Sequence, residues 1–301
     1  MIVVVISLGL LYVSMSIDAG GAPRVVGTPS YHGHPMTTVP SSQLKAAEAT
    51  SGPLGCPLPT DQCYFSYNWA GYAVLGAPGS VTQVTGSWVV PTVVGSHGQY
   101  CPDGQRTWDS TAVWIGIDGA TDPTVEQTGT SSDCFYGQVD YYPWFEYYPA
   151  EAEEPIPTAD FILPGDHMTA SVDFEGLNAT GIPTFQTTLT DLTQKWTFSS
   201  PVTAVVGALQ ESAEWIEESP YYMGFLGLTD VSLVTFFDAT ATIGGTTGSF
   251  ASFGPNVIWI LSVDYQFPYA TPPTLYYAKA LPLRPEWGGS AFSLEWLSSG
   301  P

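Results

Sequence analysis

The chain has 301 residues, of which 44% are hydrophobic, 14% aromatic and only 11% charged, which predicts one main globular domain and excludes a disordered or fibrous protein. Its 28 acidic residues against 6 Lys and Arg give a formal net charge of -22 at pH 7, so no nucleic-acid partner is expected, because binding phosphates needs basic side chains. The same balance favours work in acid, where protonated carboxyls no longer repel one another, although an acidic surface that only maintains solubility would look alike.

The N-terminus carries an apolar run from Ile2 to Val13, interrupted only by Ser7 and Gly9. Its length is typical of the hydrophobic part of a secretory signal peptide and short for a membrane span. We therefore expect a signal peptide over residues 1–18, a secreted protein, and no stable membrane insertion after processing. No Lys or Arg precedes the run, which leaves an uncleaved anchor open.

Four cysteines follow: Cys56, Cys63, Cys101 and Cys134. They fit an oxidising, exported setting. Three pairings are possible, and the sequence does not choose among them. We favour Cys56 with Cys63 and Cys101 with Cys134, because each pair closes a loop between neighbouring segments.

The composition divides the chain after the leader into three parts. Residues 19–63 are rich in Gly, Pro, Ser and Thr, which is typical of a pro-segment or a linker. Residues 64–282 hold about a dozen short alternating runs separated by turn residues, which predicts an all-β domain of two stacked antiparallel sheets or a barrel. Residues 283–301 lose the alternation, so we expect a C-terminal extension that packs on the outside.

Two of the predicted strands carry polar and aromatic side chains on one face. In TAVWIGIDG, period-two alternation places Trp114, Gly116 and Asp118 opposite the apolar core face. The same rule groups five side chains in QVDYYPWFEYY, namely Asp140, Tyr142, Trp144, Glu146 and Tyr148. Such a face resembles a ligand groove more than a packed interior, although a solvated outer face is the simpler alternative.

Several catalytic classes lack their residues here. Only His97 and His167 lie beyond residues 1–63, and neither belongs to a metal-ligand spacing such as H-E-x-x-H. There is no G-x-S-x-G motif, and two isolated histidines are poor material for a Ser or Cys triad. No Asp-Thr-Gly or Asp-Ser-Gly pair suggests a two-aspartate site. Carboxylates and amides on aromatic strands remain.

Six short motifs, in order, resemble the glutamic peptidase family, also called eqolisins. They are NWAGY (68–72), TGSWVVP (85–91), VWIGIDG (113–119), EQTG (126–129), YYPWFEYYP (141–149) and AEWIEE (213–218). Each is weak alone, but the ordered series covers most of the chain. The resemblance implies a β-sandwich of two long antiparallel sheets, of the concanavalin-like or jelly-roll type, and an acid-active endopeptidase.

The resemblance also implies a site. Its catalytic pair corresponds to Gln127 in the QTG motif and Glu214 in the AEW motif. Four further residues match positions that line the family's substrate cleft: Trp114, Asp118, Trp144 and Glu146. Tyr148 shares a strand face with Trp144 and Glu146, and we expect it to bind substrate as well. Protein or peptide substrates, no cofactor, no metal and a monomer are expected.

This pair suits chemistry in acid. A glutamate with an ordinary pKa of about 4.3 can activate water where histidine is fully protonated. Glutamine is neutral at every pH, so the amide of Gln127 can donate to an oxyanion at low pH. Spacing alone would leave Glu214 an ordinary surface acid among Glu211, Glu217 and Glu218, and Gln127 an amide bonded within a strand.

Two other functions fit the same strands. A carbohydrate-active sandwich could use Glu146 and Glu214 as acid and base beside stacking tryptophans. A carbohydrate-binding module without catalysis is the third alternative, because a fold does not fix a function. The glycosidase would be indifferent to Gln127, and the binding module would keep its ligand when Glu214 is neutralised.

Overall fold

A computed structural model describes residues 33–39, 56–94, 109–135, 138–157, 159–265 and 276–300. Within these ranges the chain forms seventeen strands and three short 3-10 helices, so the predicted all-β class is confirmed. The leader 1–18, most of the predicted pro-segment, His97 and Cys101 lie outside the described residues. Among the residues that are described, no helix is both long and apolar enough to cross a bilayer.

The strands follow one another in chain order with short connections. The first nine are β1 (Cys63–Ser66), β2 (Trp69–Leu75), β3 (Val81–Val89), β4 (Asp109–Ile117), β5 (Val125–Phe135), β6 (Gln138–Tyr148), β7 (Glu154–Pro155), β8 (His167–Leu177) and β9 (Pro183–Asp191). The others are β10 (Trp196–Ser199), β11 (Thr203–Ala204), β12 (Ser212–Glu218), β13 (Leu233–Ile243), β14 (Thr246–Ser249), β15 (Val257–Tyr265), β16 (Tyr276–Pro282) and β17 (Phe292–Trp296). The 3-10 helices are Thr60–Gln62, Phe250–Asn256 and Trp287–Gly289.

Two sheets stack as the predicted sandwich. The first sheet has the order β7-β6-β5-β4-β12-β2-β15-β1, antiparallel throughout except for the parallel pair of β15 and β1. The second has the order β17-β13-β3-β8-β9-β10. Strand β16 pairs with both β15 and β17 and so links the two sheets at one side.

The core lies between the sheets, where the alternation predicted it. Val113, Ile115 and Ile117 of β4 point into it. Trp215 of β12 crosses the gap and donates from Nε1 to the carbonyl oxygen of Thr85 in β3, at 2.8 Å. Burial of these apolar side chains is the main force that holds the layers together.

The C-terminal residues differ from their prediction. Strand β17 pairs with β13 and β16, and its Phe292 and Leu294 are buried in the core between the sheets. The expectation that the residues after Pro282 pack on the outside is wrong, because the run FSLEW does alternate: Phe292 and Leu294 face the core, while Glu295 between Leu294 and Trp296 is exposed.

The favoured disulfide at the start of the domain is present. Cys56 and Cys63 are bonded, so the chain just before β1 is covalently held to the sheet. Cys134 is also disulfide-bonded, and Cys101, its predicted partner, lies outside the described residues.

Candidate active site

The site lies on the face of the first sheet that points away from the core, here called the site face. The register of β12, β4, β5 and β6 aligns four residues in one row across the sheet: Glu214, Gly116, Gln127 and Glu146. The next row holds Ile216, Trp114, Gly129 and Trp144, and the row after it starts with Glu218. The topology therefore brings the predicted site strands side by side.

Trp114 occupies a slot between two glycines of the site face. A Cβ at Gly116 would come within 2.8 Å of the Trp114 ring, and a Cβ at Gly129 within 2.6 Å of Trp114 Cβ. Both approaches are closer than side chains tolerate, so glycine at these positions makes room for the indole. The ring also packs edge-on against Trp69, with centroids 4.9 Å apart. The slot fixes the direction of the indole N–H.

Gln127 and Glu146 are joined directly. Gln127 Nε2 donates to Glu146 Oε2 at 3.0 Å, and both side chains are fully buried. Burial raises the pKa of Glu146 well above its ordinary value, while the N–H groups of Gly33 and Gln127 lower it. Glu146 therefore orients the amide of Gln127 by accepting one of its hydrogens.

Glu218 receives three hydrogen bonds. Trp114 Nε1 donates to Oε2 at 2.9 Å, whereas Asn68 Nδ2 and the backbone N–H of His34 donate to Oε1 at 3.0 and 3.1 Å. Burial raises the pKa of Glu218 to about 8, and these donors oppose that rise. Groups that donate to a carboxylate favour its ionised form. Glu218 is thus a carboxyl surrounded by donors rather than a surface acid.

Buried Lys279 ties down the ends of β2 and β12 beside Glu218. Its Nζ donates to the carbonyl oxygen of Tyr67 at 2.7 Å and to Ser219 Oγ at 2.9 Å. Tyr67 immediately precedes Asn68, and Ser219 immediately follows Glu218. Burial lowers the pKa of Lys279 to about 8.

Glu214 lies at the other end of β12 in a different environment. Its side chain is fully buried, and neither carboxyl oxygen has a hydrogen-bond partner in the described part of the chain. Burial raises its pKa well above the ordinary value; the nearby Ser212 hydroxyl lowers the pKa, and the charges of Asp118 and Asp122 raise it further. An unpartnered carboxyl of this kind is held in its neutral form.

Asp118 contacts backbone rather than the site face. It has a left-handed φ of 69°, which interrupts the alternation of β4. Its carboxyl accepts the backbone N–H groups of Leu209, Gln210 and Glu211 at 2.9, 2.7 and 2.8 Å. The contacts fix the turn that leads into β12. Burial and the charge of Asp122 raise the pKa of Asp118 to about 7.

Besides Trp114, two aromatic residues are predicted to bind substrate, and they differ in exposure. Trp144 is buried within the apolar cluster of the site face, and its Nε1 has no hydrogen-bond partner among the described residues. Tyr148 is half-exposed at the end of β6, and its ring centroid lies 5.1 Å from that of His34.

A short N-terminal segment, Gly33–Val39, crosses the site face. A Cβ on Gly33 would collide with Gln127 Nε2 and lie 2.7 Å from Glu146 Oε2, so the backbone rests directly on this pair. Further along, the N–H groups of Met36 and Thr37 donate to the Gly119 carbonyl oxygen at 2.9 Å and to Asn68 Oδ1 at 3.0 Å. The segment covers the polar side chains of the site face.

One peptide unit of this segment bridges the two halves of the site. The N–H of Gly33 donates to Glu146 Oε2 at 2.8 Å, and the N–H of His34 donates to Glu218 Oε1. The amide bond between Gly33 and His34 therefore lies between the Gln127–Glu146 pair and Glu218. No sequence pattern pointed to this contact, because the segment lies far from the motifs along the chain.

Comparisons with known proteins agree with this architecture. The sequence profile described as the peptidase A4 family matches residues 67–262. The chain is 30% identical over 213 residues to aspergillopepsin-2 of Aspergillus niger, an alignment that covers 66% of this chain and 71% of that protein.

Solved structures establish the same fold. Scytalido-glutamic peptidase with a transition-state analogue inhibitor matches with a TM-score of 0.57 and 21% identity, over 77% of this chain and 98% of that one. SCP-B, described as an eqolisin in complex with the tripeptide Ala-Ile-His, matches with a TM-score of 0.53, 22% identity and the same coverage. Together with the matching profile and the relative from A. niger, the fold leads to one assignment: this chain belongs to the peptidase A4 family, the glutamic peptidases or eqolisins, and is a peptide-bond hydrolase.

Proposed function

We propose that this chain is an acid endopeptidase in which Glu218 is the general base and Gln127 the oxyanion donor. The observation that carries the proposal is the position of the Gly33–His34 peptide unit. Its leaving-side nitrogen, that of His34, lies 3.1 Å from Glu218, and its Gly33 rests on Gln127. A substrate peptide bond in the same place would have an acid–base group at its nitrogen and an amide donor at its other side.

Each group then has a defined role in the reaction. Ionised Glu218 takes a proton from water as the water oxygen attacks the carbonyl carbon. The carbonyl becomes an oxyanion, which the second hydrogen of the Gln127 amide stabilises while the first stays on Glu146. Glu218 then gives its proton to the leaving nitrogen, the C–N bond breaks, and a carboxylic acid and an amine leave. No titrating group other than Glu218 needs to change charge.

The contacts favour Glu218 over Glu214 as the base. Donors from Trp114 and Asn68 reach Glu218 from the protein itself and stabilise its ionised form. Glu214 accepts no hydrogen bond of normal geometry from the described residues; the nearby Ser212 hydroxyl favours its ionised form, but burial and the charges of Asp118 and Asp122 oppose ionisation. A carboxyl that returns the proton to the leaving amine has to reach the amide nitrogen, and Glu218 lies 3.1 Å from the nitrogen of His34.

The raised pKa of Glu218 belongs to the covered site. Burial is its main cause, and the Gly33–Val39 segment supplies part of that burial. Once the segment leaves, water reaches the carboxyl while Trp114 and Asn68 remain, which lowers the pKa, and the loss of the His34 N–H opposes part of that fall. Removal of the segment therefore empties the cleft, and the added hydration favours the ionised form of the base.

The Cys56–Cys63 disulfide supports export, and the segment on the site face supports later processing. The signal peptide over 1–18 would direct secretion, and the predicted pro-segment would end before Cys56, since the disulfide to Cys63 holds Cys56 to the sheet. The cut would then fall after Val39, which is buried against the domain. All of the proposed groups come from one chain, in keeping with a monomer that acts on proteins or peptides.

Two isosteric variants test the base. Secreted, acid-incubated protein should digest casein at about pH 3, and Glu218→Gln should lose about a thousandfold in turnover while keeping its melting temperature. Glu214→Gln is the matched variant from the same strand and should retain most of the activity, because it only fixes the neutral form that burial already favours. If Glu214→Gln is inactive while Glu218→Gln turns over normally, the roles are reversed.

A further inference from the structure

Three aromatic rings surround the side chain of His34. The centroid of its imidazole lies 5.1 Å from that of Tyr148, 5.0 Å from Tyr221 and 6.3 Å from Phe225. These are the distances at which tilted and edge-on ring pairs attract one another. We call Tyr148, Tyr221 and Phe225 the ring box.

The ring box is built by two elements, one of which follows Glu218 directly. Tyr148 ends β6, and the other two rings lie in the turn that begins directly after β12. Tyr221 and Phe225 pair as an isolated bridge, with their rings edge-on at 5.5 Å. The turn is closed by a further backbone hydrogen bond, from the N–H of Leu226 to the Pro220 carbonyl oxygen at 3.0 Å. The rings are therefore held in place by their own backbone.

We propose that the ring box is the substrate subsite for the residue that follows the scissile bond, and that it selects a planar ring, either aromatic or imidazole. The proposal rests on the function proposed above, because His34 supplies the nitrogen that contacts Glu218. A substrate residue whose nitrogen took that place would direct its side chain to Tyr148, Tyr221 and Phe225.

The chemistry of the ring box explains why a ring is preferred. Aromatic faces carry negative and ring edges positive partial charge, so a flat side chain gains from tilted contacts with all three rings. A substrate histidine is protonated at acid pH and gains a further attraction to the faces of the tyrosines. A branched aliphatic side chain buries a similar area but gains neither the ring–ring contacts nor the attraction of a cation to an aromatic face.

Space beside His34 admits larger rings. An open depression of ≈ 550 Å³ is bounded by His34, Tyr148 and a turn that precedes β5, with Thr121 and Asp122 on its wall. Because His34 borders this open depression, a larger ring such as that of phenylalanine or tyrosine has room to extend into it.

Hydrolysis of matched peptides tests the selection. Four peptides that differ only in the residue after the cleaved bond, His, Phe, Leu or Ala, are given to the full chain after acid incubation. We expect kcat/KM to be about tenfold higher for His and Phe than for Leu and Ala. In Tyr221→Ala the ratio between the Phe and Ala peptides should collapse towards one, whereas Met223→Ala, 88% exposed in the same turn, should keep it. Equal rates for all four peptides, or an unchanged ratio in Tyr221→Ala, would overturn the proposal.

A second measurement judges the ring box without catalysis. In the full chain before acid incubation, hydrogen exchange of the amides from Met36 to Val39 reports whether the segment stays seated. His34→Phe should keep their protection, and His34→Leu and His34→Ala should exchange about tenfold faster. If Leu protects as well as Phe, the ring box does not select rings. Loss of all peptide hydrolysis with this pattern intact would instead count against the proposed function.

Discussion

The indole Nε1–H of Trp114 donates a 2.9 Å hydrogen bond to Oε2 of Glu218, and both side chains are fully buried. Gly116 and Gly129 leave the slot that the indole fills, so the donor cannot turn away without a clash. The bond links the VWIGIDG and AEWIEE motifs across two neighbouring strands. It holds Glu218 in place and favours its ionised form.

Replacing Trp114 with Phe should shift the acidic limb of the pH profile. Loss of a donor to the carboxylate raises the pKa of Glu218, so turnover should begin to fall at a pH about one unit higher than in the parent. The matched control is Trp144→Phe, since the Trp144 Nε1 has no described hydrogen-bond partner to lose. Profiles of kcat against pH would decide; a limb that moves equally in both variants would show that ring packing, not the hydrogen bond, sets it.

Replacing Gln127 should remove oxyanion stabilisation. We expect Gln127→Ala to lose about a hundredfold or more in turnover with a smaller change in KM, because the lost donor acts on the transition state. Gln127→Glu should fail as well, since an ionised carboxylate would repel the oxyanion and the neighbouring Glu146. Steady-state kinetics beside thermal melting would separate this from misfolding. Full activity in either folded variant would remove the amide from the mechanism.

Much of the architecture follows from alternation in the sequence, but the choice of the base does not. In AEWIEE, Glu214 and Glu218 are four residues apart and share one face of the strand under a period of two. Only the neighbours differ: Trp114 and Asn68 reach Glu218, whereas Asp118 and Asp122 lie near Glu214. Those neighbours depend on the pairing of β12 with β2 and β4, which are distant along the chain.

The positions of Asp118 and Glu217 also differ from those expected from the sequence, and both differences have local causes. Asp118 leaves the site face because its left-handed φ ends the alternation of β4, which the sequence IDG hints at but does not establish. Glu217, expected as a surface acid, is 1% exposed and points towards the core, because both sides of β12 are covered. Central strands of a sandwich bury polar residues that a count of charges would place outside.

Processing should remove the segment that covers the site. Mass spectrometry of secreted, acid-incubated protein should show a new N-terminus between Val39 and Cys56, because Val39 is buried against the domain and Cys56 is held by its disulfide. Activity should increase as the shortened form accumulates. A fully active protein that still contains Arg24 to Lys45 would contradict both the pro-segment and its blocking position.

Stability should be greatest in acid, because many buried carboxyls hold their protons in the folded state. Burial raises the pKa of Asp109 to about 6, and that of Glu217 to about 8. Glu126 and Glu153 are also raised well above their ordinary values by burial. In the unfolded chain these carboxyl groups would release their protons at about pH 4. Between about pH 4 and 8 the folded state therefore binds more protons than the unfolded state, and the free energy of unfolding falls as the pH rises.

The variant Glu217→Gln isolates one of these groups. Glu217 lies on the core side of β12, away from Gln127 and Glu218, and neither of its carboxyl oxygens has a hydrogen-bond partner among the described residues. In acid, where the carboxyl is neutral, the amide should change the melting temperature little. Near pH 7 the parent loses stability, because ionising Glu217 is favourable only in the unfolded chain. The amide cannot ionise, so the variant does not lose this stability. It should therefore melt about 5 °C or more above the parent. Melting curves from about pH 3 to 8 would measure both effects. Parent protein that melts higher at pH 7 than at pH 3, or parallel curves for parent and variant, would mean that the buried carboxyls are not what makes the fold acid-stable.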